Sequence, residues 1–211
     1  MGARMRQDLN AGFSLIETVI AVAIVAVGIL SLAAMLASGL AYMAVSQNDY
    51  IAQEKAAEAV ESIFTARDMG QATWSTICNV GSSVCSGGIF VAGALPLCGT
   101  GADGIVGTAD DFNGSDTACA GGALAQPDSI VMPAGSGGAV NVNLASAPTS
   151  TNGSLVSLSN WNFLRTIAIT KVVDSNGNAI PNLRQIQVTI TYTAARFTRR
   201  YVLTTNISNF S

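Results

Sequence analysis

GFSLIETVIAVAIVAVGILSLAAMLASGLAYMAVSQ, residues 12–47, is the stretch that decides how this chain is built. After Glu17 no charged residue occurs until Asp49. A helix needs about 20 apolar residues to cross the hydrocarbon core of a bilayer. The run therefore predicts one membrane-spanning helix, with the span at about 14–42. Upstream, residues 1–12 read MGARMRQDLNAG, a short polar leader with Arg4 and Arg6. Basic residues stay on the cytoplasmic side, so the leader faces the cytoplasm and the C-terminal portion is exported. A secretory signal places its small-residue cleavage site after the apolar run. Here the small residue, Gly12, stands before it. A cut at Gly12 leaves the whole run on the mature chain as a permanent anchor.

Glu17 is the only charge between Asp8 and Asp49. A carboxylate at the centre of a membrane helix costs about 2.5–3.5 kcal/mol, and less near an interface. Each Leu, Ile, Val or Phe returns about 0.3–0.6 kcal/mol on the same scale. More than ten of these lie between Phe13 and Leu36, so insertion still wins. An acid in such a place is a functional candidate, and it needs a cationic partner.

The segment Gly12-Phe13-Ser14-Leu15-Ile16-Glu17, followed by the apolar run, resembles the prepilin signature of type IV pilins and type II secretion pseudopilins. The resemblance implies cleavage between Gly12 and Phe13 by a membrane-bound prepilin peptidase, with methylation of the new Phe13 amine. It implies that Glu17 pairs with the N-terminal amine of a neighbouring subunit during assembly. It also implies the fold class, α+β, with a long N-terminal helix packed on a C-terminal antiparallel sheet. The partners that follow are other pilin subunits in a helical filament and, before assembly, the inner membrane. The localisation that follows is single-pass in the inner membrane, then an extracellular or periplasmic filament. Many major pilins carry a Pro inside this helix, and this chain has none; residues 26–33, AVGILSLA, look more like the PilV-type minor pilins.

Residues 47–68, QNDYIAQEKAAEAVESIFTARD, continue the helix with good helix formers and no Pro or Gly. Ala52, Ala56, Ala59, Val60, Ile63 and Phe64 recur at spacings of three and four, which marks a face that covers something. Gly70 is the expected stop. The domain reading is a leader at 1–12, a helix at 13–69, a loop-rich disulfide-containing region at 70–160 and a β-meander at 161–211.

In the middle region Gly, Ser, Ala, Asn and Thr dominate, with candidate strands at 89–92, 129–132 and 139–144. Cys78, Cys85, Cys98 and Cys119 all follow the apolar run, and none forms a CxxC pair. An even count in an exported region predicts two disulfides. The count leaves three pairings open, and the shorter loops favour Cys78–Cys85 with Cys98–Cys119. Residues 101–113, GADGIVGTADDFN, gather Asp103, Asp110, Asp111 and Asn113 in a Gly-rich loop, with Asp116 close by. Hard cations take several oxygen ligands, and the loop looks like the DxDG-type calcium loops of exported bacterial proteins. It departs from an EF-hand, because Gly101 stands where a first Asp would be and no Glu closes the loop. A calcium site and a solvated acidic turn are both readings of it.

Toward the C-terminus, 163–173, 183–193 and 200–207 are rich in β-branched and aromatic residues. Ile186, Val188, Ile190 and Tyr192 alternate with Gln185, Gln187, Thr189 and Thr191, so one face is buried and one is wet. The Asn-Gly within 174–181 ends the first strand. The amphipathic half of the helix supplies the cover for the sheet.

The chain has 211 residues, 49% hydrophobic and 11% charged, with net charge −3 and no His. The absence of a basic stripe argues against nucleic acid as a partner. Without His, no catalytic triad or His-containing zinc site can be built, and no nucleophile motif is evident, so an enzyme is not expected. The expected function is a structural minor pilin, acting in pilus assembly or cell adhesion. The alternatives are a pseudopilin of a type II secretion system, or a membrane-anchored ligand-binding module that forms no filament.

Overall fold

The computed structural model describes residues 14–114, 119–121, 126–132, 140–144, 163–194 and 197–209. The chain forms two compact units, Met1–Met43 and Ala44–Ser211. The elements are a helix α1 (Leu15–Asp68) and strands β1 (Leu95–Pro96), β2 (Ser129–Met132), β3 (Val140–Asn143), β4 (Leu164–Val173), β5 (Ala179–Ala194) and β6 (Phe197–Ser208). A short 3-10 turn occupies Ala109–Asp111.

α1 is 54 residues long. Its first turn is closed by Ser14, whose carbonyl accepts the amides of Glu17 and Thr18 at 3.0 and 3.2 Å. Its last turn is closed by Gly70 at φ 73°, a left-handed position that a residue with a Cβ resists. There the Gly70 amide donates to Arg67 O at 3.0 Å and the Gln71 amide to Ala66 O at 2.8 Å. That pair of bonds is the Schellman motif, which satisfies carbonyls that the helix end leaves open.

In the first unit the side chains of α1 are apolar and exposed, Leu15 at 82% and Leu30 at 69%. The hydroxyls of Ser31 and Ser38 donate back to Val27 O and Ala34 O at 2.8 and 2.9 Å. The run therefore meets its surroundings with hydrocarbon and keeps these hydroxyls satisfied within the helix, as a bilayer requires. This helix is long and apolar enough to cross a membrane.

In the second unit α1 buries Asn48, Ile51, Ala52, Ala56, Ala59, Ile63 and Ala66. The three- and four-residue spacing puts them on one face. Val60 and Phe64 pack at its margin, half-buried. The face covers a four-stranded antiparallel sheet in the order β1-β4-β5-β6. Ile167 and Ile169 of β4, Ile186, Val188, Ile190 and Tyr192 of β5, and Ile207 of β6 form one apolar cluster with the helix stripe. The register Ile167↔Val188, Ile169↔Ile186 and Arg184↔Ile207 puts them side by side on one face. Thr166, Gln185, Gln187, Thr189, Thr204 and Asn206 occupy the alternate positions of these strands.

The α+β class is as expected, and three details differ. First, the sheet has four strands rather than three, because Leu95–Pro96 from the middle region pairs with Leu164 and Arg165 of β4. Second, residues 89–92 form no strand; Phe90 makes single bridges to Asn79 and Thr108. Third, β5 begins at Ala179, so Pro181 lies inside a strand that 174–181 was expected to exclude. The ladder with β4 is irregular between Lys171 and Val173, and pairing with β6 begins only at Leu183. Pro181 thus falls where the ladder makes no demand on its missing N–H. The tight turn is Asp174–Asn178, with Gly177 at φ 82°.

The outer edge of β4 beyond Arg165 is finished by a side chain. Asn79 Nδ2 donates to Ile167 O at 2.7 Å, and Asn79 Oδ1 accepts the Ile169 amide at 2.8 Å. One amide side chain thereby does the work of a neighbouring strand. Asn79→Ala leaves a donor and an acceptor of β4 open. It is expected to lower stability by about 2–3 kcal/mol, read by chemical denaturation of the detergent-solubilised chain. Asn79→Asp keeps the acceptor, loses the donor and sets a charge against Ile167 O, so it is expected to be no milder.

Candidate functional site

Two places gather the residues singled out in the sequence. The first is the start of α1. Gly12 and Phe13 lie outside the described residues. Glu17 sits in the first turn of α1, where the free amides of a helix N-terminus favour an acid. It is exposed, and its neighbours Leu15 and Ile16 are exposed at 82% and 67%. The geometry is a carboxylate at the mouth of an apolar helix with no cation beside it among the described residues. Such a group can dock an ammonium from another molecule.

The second place is the acidic loop. Disulfides join Cys78 to Cys85 and Cys98 to Cys119, with Cα–Cα distances of 6.0 and 5.5 Å. The second ring encloses the loop, and Leu95, Cys98 and Phe112 form a small apolar cluster beneath it with Cys119. Asp103, Asp110 and Asp111 converge, with carboxylate oxygens within 4.8 Å of one another. Asp116 lies outside the described residues, and Asn113 is exposed at the loop's end.

The three acids do different work. Asp111 is fully buried, and its two oxygens accept the amides of Gly101 at 2.5 Å and Gly107 at 2.6 Å. Burial raises its carboxyl to about 6, against the pull of those amides and of Arg165. Asp110 Oδ1 accepts from the Thr108 hydroxyl at 2.7 Å and Oδ2 from the Asp103 amide at 3.1 Å. Partial burial works to raise this carboxyl, but the Thr108 hydroxyl and the loop amides outweigh it, and the net direction is down. Asp103 Oδ1 accepts the Ile105 amide at 2.8 Å. The loop is tied to α1 through the Val106 amide, which donates to Ser62 Oγ at 3.0 Å. Gly101 and Gly107 have no room for a Cβ, which would run into Asp110 and Ile167 respectively. The acids therefore fold the loop by accepting its own amides. A carboxylate oxygen has a second lone pair, so exposed Asp103 and Asp110 can hold a hard cation, while Asp111 points its oxygens into the loop.

Two buried cations were not singled out in the sequence. Arg165 is 2% exposed and donates from Nη2 to Cys98 O at 3.1 Å. Burial pushes its guanidinium down, while Asp128, Asp111 and Glu58 hold the charge in place. Arg184 donates from Nη1 to Trp74 O at 2.5 Å and Ile77 O at 2.7 Å, and its guanidinium lies 4.0 Å over the Trp74 ring. The signal was strand parity: Arg165 shares the inward phase of Ile167 and Ile169, and Arg184 that of Ile186 and Val188.

No family model, curated protein or solved structure matches the chain.

Proposed function

We propose that this chain is a minor pilin: a structural subunit made as a precursor, cut after Gly12 by a prepilin peptidase and assembled into a type IV pilus-like filament through its N-terminal helix. The observation that carries the reading is the pairing of one acid, Glu17, with a long exposed apolar helix whose next half becomes the cover of a disulfide-bonded sheet unit. Before assembly, lipid covers the apolar half. In the filament, copies of the same helix replace the lipid. Glu17 is costly in hydrocarbon alone and becomes a docking point beside the freed Phe13 amine of another copy. The pilin-like architecture, the export of the Ala44–Ser211 unit and a bound calcium ion on Asp103 and Asp110 belong to the same proposal. An enzymatic role is not part of it.

The test is filament incorporation of Glu17→Ala. The substitution removes the only charge of the run, so membrane insertion should be as good as or better than in the parent chain. Breaking a buried ion pair costs about 3–5 kcal/mol, which is a loss of incorporation of roughly 100-fold or more. Immunoblotting of sheared filaments against the membrane fraction reads both quantities. Full incorporation of the variant would overturn the assembly mechanism.

A further inference from the structure

A cavity of about 530 Å³ opens in the Ala44–Ser211 unit, lined by residues of α1, β5 and β6 that include Asp49, Tyr50, Tyr192, Arg199 and Tyr201. Its floor is a long, half-exposed ion pair. Arg199 Nη1 stands 3.4 Å from Asp49 Oδ2, and the two side chains remain 48% and 47% exposed. A closed guanidinium–carboxylate contact is shorter, about 2.7–2.9 Å. The other oxygen, Oδ1, is held by the Tyr192 hydroxyl. Arg199 has donors to spare, since a guanidinium carries five N–H groups and its contacts with Asp49 and Tyr192 use only part of them. Tyr50 is 63% exposed at the rim, and half-buried Tyr201 adds a second phenol ring.

The cavity therefore offers the Asp49 carboxylate, the Arg199 guanidinium and aromatic faces within one small space; Arg200 also lines it, but by strand alternation it belongs to the opposite face of β6 from Arg199 and Tyr201. Its position along α1 narrows the ligand. Asp49 comes one helical turn after Val45, the end of the charge-free apolar run, and Tyr42 and Tyr50 bracket that point in the sequence. Tyrosines concentrate at membrane–water interfaces. The headgroup layer there is roughly 5–7 Å thick on each side of the hydrocarbon.

We propose that this cavity binds the headgroup of a zwitterionic phospholipid, with the phosphate on Arg199 and the ammonium between Asp49 and the Tyr50 and Tyr201 rings. A headgroup carrying both charges replaces each half of the long ion pair with its complement. A glycerol headgroup would place its phosphate on Arg199 equally well but bring no ammonium to Asp49, so the site discriminates by the cation that such a headgroup lacks. Aromatic faces beside a carboxylate are a suitable seat for an ammonium. The inference rests on the membrane-anchor reading and goes beyond it, since an anchor needs no headgroup site.

The test uses the full chain in nanodiscs of equal parts phosphatidylethanolamine, phosphatidylcholine and phosphatidylglycerol, released into native mass spectrometry. One retained phosphatidylethanolamine or phosphatidylcholine is expected, with phosphatidylglycerol disfavoured. Arg199→Gln and, separately, Tyr50→Ala are expected to cut retention by about tenfold or more, with unchanged thermal unfolding by circular dichroism. Tyr50 is an exposed helix position and Ala a strong helix former, so that variant keeps the fold. Equal or better retention of phosphatidylglycerol, no retained lipid, a second copy of the chain in place of lipid, or unaltered retention in both variants would each overturn the proposal. Free phosphoethanolamine binding without any retained lipid would assign the cavity to a soluble ligand and overturn it equally. A chain that fails to enter nanodiscs would defeat the anchor reading as well; a chain that enters and retains nothing defeats the headgroup site alone.

Discussion

Asp111→Ala is expected to lower the stability of the Ala44–Ser211 unit by about 3–5 kcal/mol. The carboxylate is fully buried and accepts the Gly101 and Gly107 amides, which close the loop from both sides. Removing it leaves two buried donors without acceptors and takes an opposing charge from Arg165, which is 2% exposed. Asp111→Asn keeps one acceptor and is expected to fall between the two. The same residue sets a pH dependence. Its folded carboxyl titrates near about 6, above the ordinary value of 3.8, because burial disfavours the charge. A group raised on folding stabilises the fold while protonated, and that contribution disappears as pH rises through the folded value. The parent chain should therefore gain about 1.3 kcal/mol of stability as pH falls from 7 to 5. Asp111→Ala should be flat over that window. Asp110 and Asp174 are lowered on folding, so they act below the ordinary carboxylate range and do not mask the effect. Urea denaturation of the detergent-solubilised chain at several pH values checks both. A parent chain with no gain between pH 7 and 5 would contradict the assignment.

Ile63→Ala should cost about 2–5 kcal/mol. The buried stripe of α1 over the sheet is mostly Ala52, Ala56, Ala59 and Ala66, which lets the helix lie close. Ile63 is the largest fully buried side chain of α1, and it belongs to the cluster with Ile167, Ile186, Val188 and Ile190. Truncating it removes buried hydrocarbon and leaves a void that the rigid strands cannot fill by collapsing. The converse change, Ala59→Leu, forces helix and sheet apart and should cost about 1–3 kcal/mol by overpacking. The two together make a useful pair, because a seam that tolerated both would not be the tightly packed layer described here.

Periodicity carried most of the fold. The helix was legible from 14 to 68 because a long charge-free run and an alanine-rich amphipathic run share one period, and Gly70 alone supplied its end. The three long strands were legible because β-branched residues alternate with Gln and Thr. The short strand Leu95–Pro96 was not, since two residues have no period and their pairing with β4 depends on tertiary closeness. Asn79 was invisible for the same reason: a lone Asn in a Gly/Ser-rich stretch gives no hint that it finishes a strand edge. Cysteine counting left three pairings, and the chain joins sequence neighbours, Cys78 with Cys85 and Cys98 with Cys119. The acidic loop was visible as a composition, but composition did not separate Asp111, which holds the loop together, from Asp103 and Asp110, which face solvent. The cavity at Asp49 joins residues far apart in the chain, and no local pattern announces it.

In the proposed assembly Glu17 docks on a free amine at the residue after Gly12, which only processing would create. The intact mass and N-terminal sequence of the chain, extracted from membranes of a host that carries a prepilin peptidase, test this most directly. The expected result is a chain that has lost residues 1–12 and begins with N-methylated Phe13. A chain that still begins at Met1 or Gly2 in that host would contradict the account.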